Sequence, residues 1–286
     1  MDASEAVEAL AMVGLSGSQV SEITGGWAFW TFDLDDRWIA RFPRNAEIAA
    51  AARRELRLLP EISRRLSFRV PEPSRDGVWS GWPFFAYPKI AGSGLTLADR
   101  SEAVLLRIGA MLNELHDVPV ELAVDLLGVE DAANAWRIRY EMLWPDVERL
   151  ALPEMDTETA TRVQLEFNRF MAQPFSHPMT LIHNDLGLEH LLVDECSGVP
   201  VGIIDFESAW IGDPAIDFVP LVAAFGAEAL EQLLVGRDLG DRLGERMWFY
   251  RWMGSIHNIM YGVTEQVEHE RDAGLAQLLV RLDHRW

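Results

Sequence analysis

The chain has 286 residues, 49% hydrophobic, 24% charged and 10% aromatic, a composition that fits a folded protein of one large domain or two lobes and excludes disorder. Acidic residues outnumber basic ones by 45 to 25, a net charge of −20 that argues against nucleic acid and anionic membrane surfaces as partners and makes cationic small molecules better candidates. The single cysteine, Cys196, excludes an intramolecular disulfide. No apolar run approaches the ~20 residues of a membrane span, and the start Met1-Asp2-Ala3-Ser4-Glu5 lacks a signal pattern, so the expectation is a cytoplasmic protein.

The spacing of Val7, Leu10 and Ala11 predicts a first helix over 2–15, capped by Asp2 or Ser4. Short aromatic and β-branched runs at 20–23, 27–34 and 37–42, separated by Thr24-Gly25-Gly26 and Asp35-Asp36, read as a β-meander. Asn45 can cap a long helix over 46–66, with Leu56, Leu59 and Ile62 on one face, and Val70-Pro71-Glu72-Pro73 stops it. A strand over 84–90 leads into Ala91-Gly92-Ser93-Gly94. Helical periodicity then fills 96–117, 129–150, 156–172, 226–235, 241–269 and about 272–284. One interruption, 180–205, has two apolar strands around a polar loop.

The expected fold class is therefore α+β and bilobal. Residues 1–90 form a small β-rich lobe with one long helix, 91–95 a hinge, and 96–286 a larger, mainly helical lobe. Ligands favour the cleft between such lobes. No interface stripe is evident, so a monomer is expected.

The polar loop, His183-Asn184-Asp185-Leu186-Gly187-Leu188-Glu189-His190, follows the apolar Leu181-Ile182. A later apolar run, 201–204, ends in Asp205 and is expected to pair with the first run, gathering Asp185, His190 and Asp205 at one end of a small sheet. Two carboxylates and an imidazole so placed suit proton acceptance from a nucleophile and the holding of a divalent cation.

These segments, together with Gly212-Asp213-Pro214-Ala215-Ile216-Asp217, resemble the aminoglycoside and macrolide phosphotransferases, antibiotic kinases with a protein-kinase-like fold. The family pattern is His-x-Asp-x-x-x-x-Asn/His, then Ile-Asp-Phe/Trp, then Gly-Asp-Pro-x-x-Asp, and the likeness runs along nearly the whole chain. His-Asn-Asp, Ile-Asp-Phe and the stretch from Ile256 to Gly262 are closest to the 2''-aminoglycoside kinases. The stretches 41–47, 86–88 and 213–217 are closer to the macrolide kinases.

The resemblance implies that Asp185 orients and deprotonates the acceptor hydroxyl, and that Asp205 and His190 hold Mg²⁺ on the nucleotide phosphates. It implies that Asp213 and Asp217 brace the loop. Arg41, in Ile39-Ala40-Arg41, stands where kinases carry a phosphate-binding lysine, and Glu55 is its helix partner. The chain has one lysine, Lys89, so 25 − 1 = 24 of its basic residues are arginine. Thr24, Gly25 and Gly26 stand where a glycine-rich loop covers phosphates. Tyr87 guards the base pocket, narrowing it toward guanine, and the backbone of Lys89 and Ile90 meets the base edge. The donor is then ATP or GTP. The acceptor is a cationic antibiotic, first an aminoglycoside, with a macrolide or a small metabolite as the alternative. Glu141, Asp146, Glu228, Glu231, Glu265 and Glu268 are the acidic candidates for binding it. Trp252 is an aromatic that can stack on it, as are Trp136, Tyr140, Trp144, Trp248 and Tyr250. The arginine in place of lysine leaves a non-catalytic nucleotide- or drug-binding protein as the other class of reading.

Overall fold

A computed structural model describes residues 1–24 and 26–284. Helix α1 (Ala3–Met12) starts where the Asp2 carboxylate accepts the amides of Ser4 and Glu5 at 2.8 and 3.0 Å. The sheet that follows is antiparallel, in the order β1-β2-β3-β5-β4, from β1 (Val20–Ile23), β2 (Phe29–Leu34), β3 (Trp38–Pro43), β4 (Arg75–Trp79) and β5 (Trp82–Pro88). Strand alternation sorts its two faces. Phe32, Ala40, Phe42, Phe84 and Ala86 pack under α1. Phe29, Ile39, Phe85 and Tyr87 face helix α2 (Ala46–Ser63), whose first turn is capped by Asn45. Arg41 shares the parity of Ile39 and so points toward α2.

Strand β4 falls in a segment expected to be loop. Its exposed edge position, with Arg75, Asp76 and Gly77, leaves no hydrophobic alternation to read. The expected helices are shorter and split. Residues 96–117 give α3 (Glu102–His116), while α4 (Val120–Leu127) precedes the expected 129–150 segment. That segment becomes α5 (Ala135–Asp146), which passes Pro145 into a π-helical turn over Val147–Ala151. Then come α6 (Thr157–Met171), α7 (Ala215–Phe225), α8 (Leu230–Leu234), α9 (Leu243–Thr264) and α10 (Glu268–Asp283). Helix α7 was not expected: it is apolar nearly all round, so no helical period stands out.

The pairing around the polar loop also differs from expectation. Strand β7 (Thr180–Ile182) pairs with β10 (Trp210–Gly212), not with the 201–204 run. That run forms β9 (Pro200–Ile203) and pairs with β8 (Leu191–Val193), which in turn pairs with β6 (Ser93–Gly94). A Cβ on Gly212 would come within 2.5 Å of Ile182 and 2.7 Å of Trp136, so only glycine lets β10 lie this close. Two hairpin-like pairs thus hold opposite ends of the polar loop.

Candidate active site

Arg41 is the hub of the cleft. Its guanidinium lies 4.0 Å from the centre of the Phe29 ring and donates to three carboxylates: Nη1 to Glu55 at 3.0 Å, Nη2 to Asp205 at 2.6 Å and to Glu207 at 3.0 Å. Arg41 and Glu55 are 5% and 1% exposed, so their charges are compensated almost wholly by each other and by the two loop carboxylates. Burial opposes the charge on Arg41, but Asp205 and Glu55 outweigh it and hold the guanidinium protonated beyond its usual range. Burial pushes Glu55 up to about 7 against the pull of Arg41. For Asp205 burial is overcome by Arg41 and His190, and its carboxyl stays below the ordinary range. These contacts join β3, α2 and the segment after β9.

The polar loop is fixed from beneath. Asp217 on α7 accepts the amides of His183 and Asn184 at 2.9 and 2.8 Å, and His116 lies 2.9 Å from the same carboxylate. Asn184 reaches the Ser208 carbonyl at 3.0 Å. Both Asn184 and Asp205 adopt left-handed backbone, at φ 67° and 71°, a conformation that must be held by such contacts. Asp213 works below in the same way, accepting Arg246 at 2.8 Å and Tyr250 at 2.7 Å, with Trp136 donating to the Tyr250 hydroxyl at 2.9 Å.

Asp185 itself is exposed in the loop, and burial around it raises its proton affinity against His190 and His183. His190 Nδ1 sits 2.7 Å from the Asp185 carbonyl, which can only accept, so Nδ1 carries a hydrogen. Its other ring nitrogen, Nε2, faces Asp205 Oδ2 at 3.7 Å. A carboxylate oxygen and an imidazole nitrogen turned toward one space fit a divalent cation, although no ready group of three or more ligands stands among the described residues.

The remaining expected site residues divide. Tyr87 is buried on β5 beside Phe85, at 6% exposure, and burial raises its hydroxyl pKa. Thr24 is exposed in the turn after β1, as is Gly26, while Gly25 lies outside the described residues. Ile90 follows β5, but Lys89 does not offer a free amide: it donates to the Arg37 carbonyl at 2.8 Å, and its ammonium binds Asp33 and Asp36. Trp252 is wholly buried among the core residues of α9, so it cannot stack on a ligand. Glu228 is an exposed partner of Arg100. Glu141, Glu231 and Glu265 are exposed. Glu265 follows Tyr261 by one turn, whereas Glu141 lies two residues from Arg139, on a different side of α5.

Two features went unread in the sequence. Glu207 adds a third carboxylate to Arg41; the signal was its place two residues beyond Asp205. The second is an aromatic stack between Trp27, in the turn between β1 and β2, and Tyr261 on α9.

A buried arginine tied to a helix glutamate and to a loop aspartate, above a second aspartate on a braced loop, is the arrangement of a phosphotransferase with a bilobal kinase-like fold. The chain belongs to the Phosphotransferase enzyme family (APH), which matches residues 19–249. It is 28% identical over 247 residues to viomycin phosphotransferase of Streptomyces vinaceus, spanning 82% of this chain and 81% of that protein. The GDP and kanamycin complex of APH(2")-IIia superposes with a TM-score of 0.84 at 25% identity, covering 96% of this chain and 97% of the other. Macrolide 2'-phosphotransferase type I superposes at 0.74 and 25% identity, covering 96% of each. No helix among the described residues is long and apolar enough to cross a membrane.

Proposed function

We infer that the protein moves the γ-phosphoryl group of ATP or GTP to a hydroxyl of a small-molecule antibiotic. The observation that carries this is the junction of Arg41 with Glu55 and Asp205 beside an unengaged Asp185. In this reading residues 1–90 bind the nucleotide, 91–95 are the hinge and 96–286 carry the loop and the acceptor site. Arg41 exchanges its contact with Asp205 for the nucleotide phosphates. Asp185 positions the acceptor hydroxyl and takes its proton as the bond to phosphorus forms. Asp205 and His190 would hold Mg²⁺, which neutralises phosphate charge when bound. The buried Tyr87 ring at the back of the base site favours GTP over ATP, and a relative binds GDP.

For the acceptor, the names of relatives support the antibiotic class: viomycin, kanamycin and macrolides. The net charge of −20 favours an aminoglycoside at long range. The macrolide alternative gains weight from the exposed, scattered positions of the expected acidic residues and the burial of Trp252.

The test is transfer of label from γ-labelled ATP and GTP, with Mg²⁺, to a panel of aminoglycosides, viomycin and macrolides. Transfer to at least one is expected, with a loss of about 10²–10⁴ in Asp185→Asn. No transfer to any member, or an unchanged rate in the variant, sinks the reading.

A further inference from the structure

Arg41 lies on β3 and its partner Glu55 on α2, so that ion pair stays on one side of the cleft. Among the described residues two ion pairs carry Arg41 across to the segment after β9, and both leave from Nη2: Asp205 at 2.6 Å and Glu207 at 3.0 Å. In the proposed function Arg41 gives up Asp205 for the nucleotide phosphates. Glu207 is then what still ties Arg41 to the segment that carries Asp205.

The two carboxyl groups arrive on one turn. Phe206 between them is 1% exposed and packs edge-on against the His183 ring, with 4.8 Å between centres. Glu207 is thus placed by the same anchor as Asp205, and among the described residues its one hydrogen-bond partner is Arg41. Protein kinases carry Asp-Phe-Gly at this point and a lysine at the place of Arg41. Here both positions differ, as Asp205-Phe206-Glu207 and as Arg41.

The two differences have a common physical reason. A lysine ammonium is a compact point charge whose three donors rotate freely, so one helix glutamate is enough to hold it. A guanidinium is a planar fork, and its use depends on where the plane lies. Glu55 holds one prong, Nη1, at 3.0 Å, and the Phe29 ring centre lies 4.0 Å from the guanidinium carbon. With Nη1 alone held, the fork can swing about that contact once Asp205 is released. Glu207 holds the second prong through one Nη2 hydrogen and leaves the other for phosphate.

We propose that Glu207 is a positioning residue for Arg41: it keeps the Nη2 end of the guanidinium in place while Asp205 is exchanged for the nucleotide phosphates, and so lets arginine work where a kinase uses lysine. The proposal rests on the phosphotransferase reading and deepens it, adding a residue that acts through Arg41. The other role open to Glu207 is charge compensation alone, and it has the opposite sign. A carboxylate that only neutralises Arg41 competes with the phosphates for it, and its removal tightens nucleotide binding.

The test is a cycle of four full-length chains: native, Glu207→Gly, Arg41→Lys and the double variant. Calorimetry reads the Kd of a non-hydrolysable GTP analogue with Mg²⁺. In the native background Glu207→Gly should weaken binding about tenfold, the strength of one hydrogen bond to a charged group. In the Arg41→Lys background the same change should cost less than about twofold, since lysine has no plane to hold. Glu207→Gln loses the charge but keeps an oxygen for Nη2, so it should bind about tenfold more tightly than Glu207→Gly. Glu207→Ala takes the place of the glycine variant should that chain not fold. Equal losses in the two backgrounds, equal binding by the glycine and glutamine variants, or tighter binding in Glu207→Gly than in the native chain overturns the proposal. Absence of nucleotide binding by the native chain overturns it together with the phosphotransferase reading. The expected cycle without transfer to any acceptor overturns that reading alone.

Discussion

The indole of Trp27 stacks on the phenol ring of Tyr261, with centroids 3.7 Å apart and 11° between planes. Trp27 belongs to the turn between β1 and β2, and Tyr261 to α9, so the pair ties that turn, which the proposed function sets over the nucleotide, to the helical lobe. Trp27 is still 52% exposed, which makes Tyr261 its main support. A stacked aromatic pair is worth about 0.5–1.5 kcal/mol beyond its area, or roughly two- to tenfold in an equilibrium. Nucleotide release should therefore quicken by that factor in Trp27→Ala and in Tyr261→Ala, and no further in the double variant. Tyr261→Phe keeps the ring and should release at the native rate. Stopped-flow displacement of a fluorescent GTP analogue measures all four, and additive single effects would show that the rings act independently.

Removing Arg41 should cost both stability and transfer. Arg41→Met leaves Glu55 buried without a partner and Asp205 beside Glu207 without the cation between them. Breaking a buried pair from one side costs about 3–5 kcal/mol, though protonation of Glu55, whose pKa is already about 7, softens the loss at neutral pH. Arg41→Lys keeps the charge but has one nitrogen for the three carboxylates that arginine meets with two. Urea unfolding should rank the chains native, then lysine, then methionine. Transfer to whichever acceptor is found should follow the same rank.

That hub shows how far the sequence could be read. Asp185, His190 and Asp205 were identifiable because they lie in polar segments at the ends of apolar runs, whereas Arg41 and Glu55 were picked out only by the resemblance to the antibiotic kinases. The sheet of the first lobe was legible from its short aromatic and β-branched runs, apart from the edge strand β4. Contacts between distant segments left no local trace. The β7–β10 pairing could not be told from a pairing with 201–204, since both runs are short and apolar. Trp252 was misjudged because an aromatic on α9 reads alike whether it faces the core or a ligand, and here it is fully buried.

Asp217 has no contact with the cleft, yet it should control the rate. Its two oxygens accept the amides of His183 and Asn184 and meet His116, fixing the backbone just ahead of Asp185. In Asp217→Asn one oxygen becomes an NH₂ group, which opposes one of the amides instead of accepting it. A displacement of ~1 Å at a reacting group can cost about 10² in rate. The expected result is a fall in kcat of that order with the nucleotide KM nearly unchanged, together with faster hydrogen exchange at the amides of His183 and Asn184. Native kcat with native exchange would remove Asp217 from this role.

Glu207 should leave its mark on stability as pH changes. Burial and then the charge of Asp205 push its carboxyl up to about 8, from an ordinary 4.5. Between those values the folded chain holds a proton that the unfolded chain has released, so the native state is disfavoured progressively as pH rises through this window. Glu55, raised to about 7, acts with the same sign over a narrower range. Asp205 acts oppositely, but its lowered pKa confines that effect to acid, below the ordinary carboxylate range. Urea unfolding of the nucleotide-free chain should show stability declining from pH 5 to pH 8.5. In Glu207→Gln the decline should be shallower and level off about one unit above pH 7, once Glu55 has lost its proton. An identical slope in the variant would mean that Glu207 is already ionised at pH 5, and that Arg41 carries three full negative charges around it throughout.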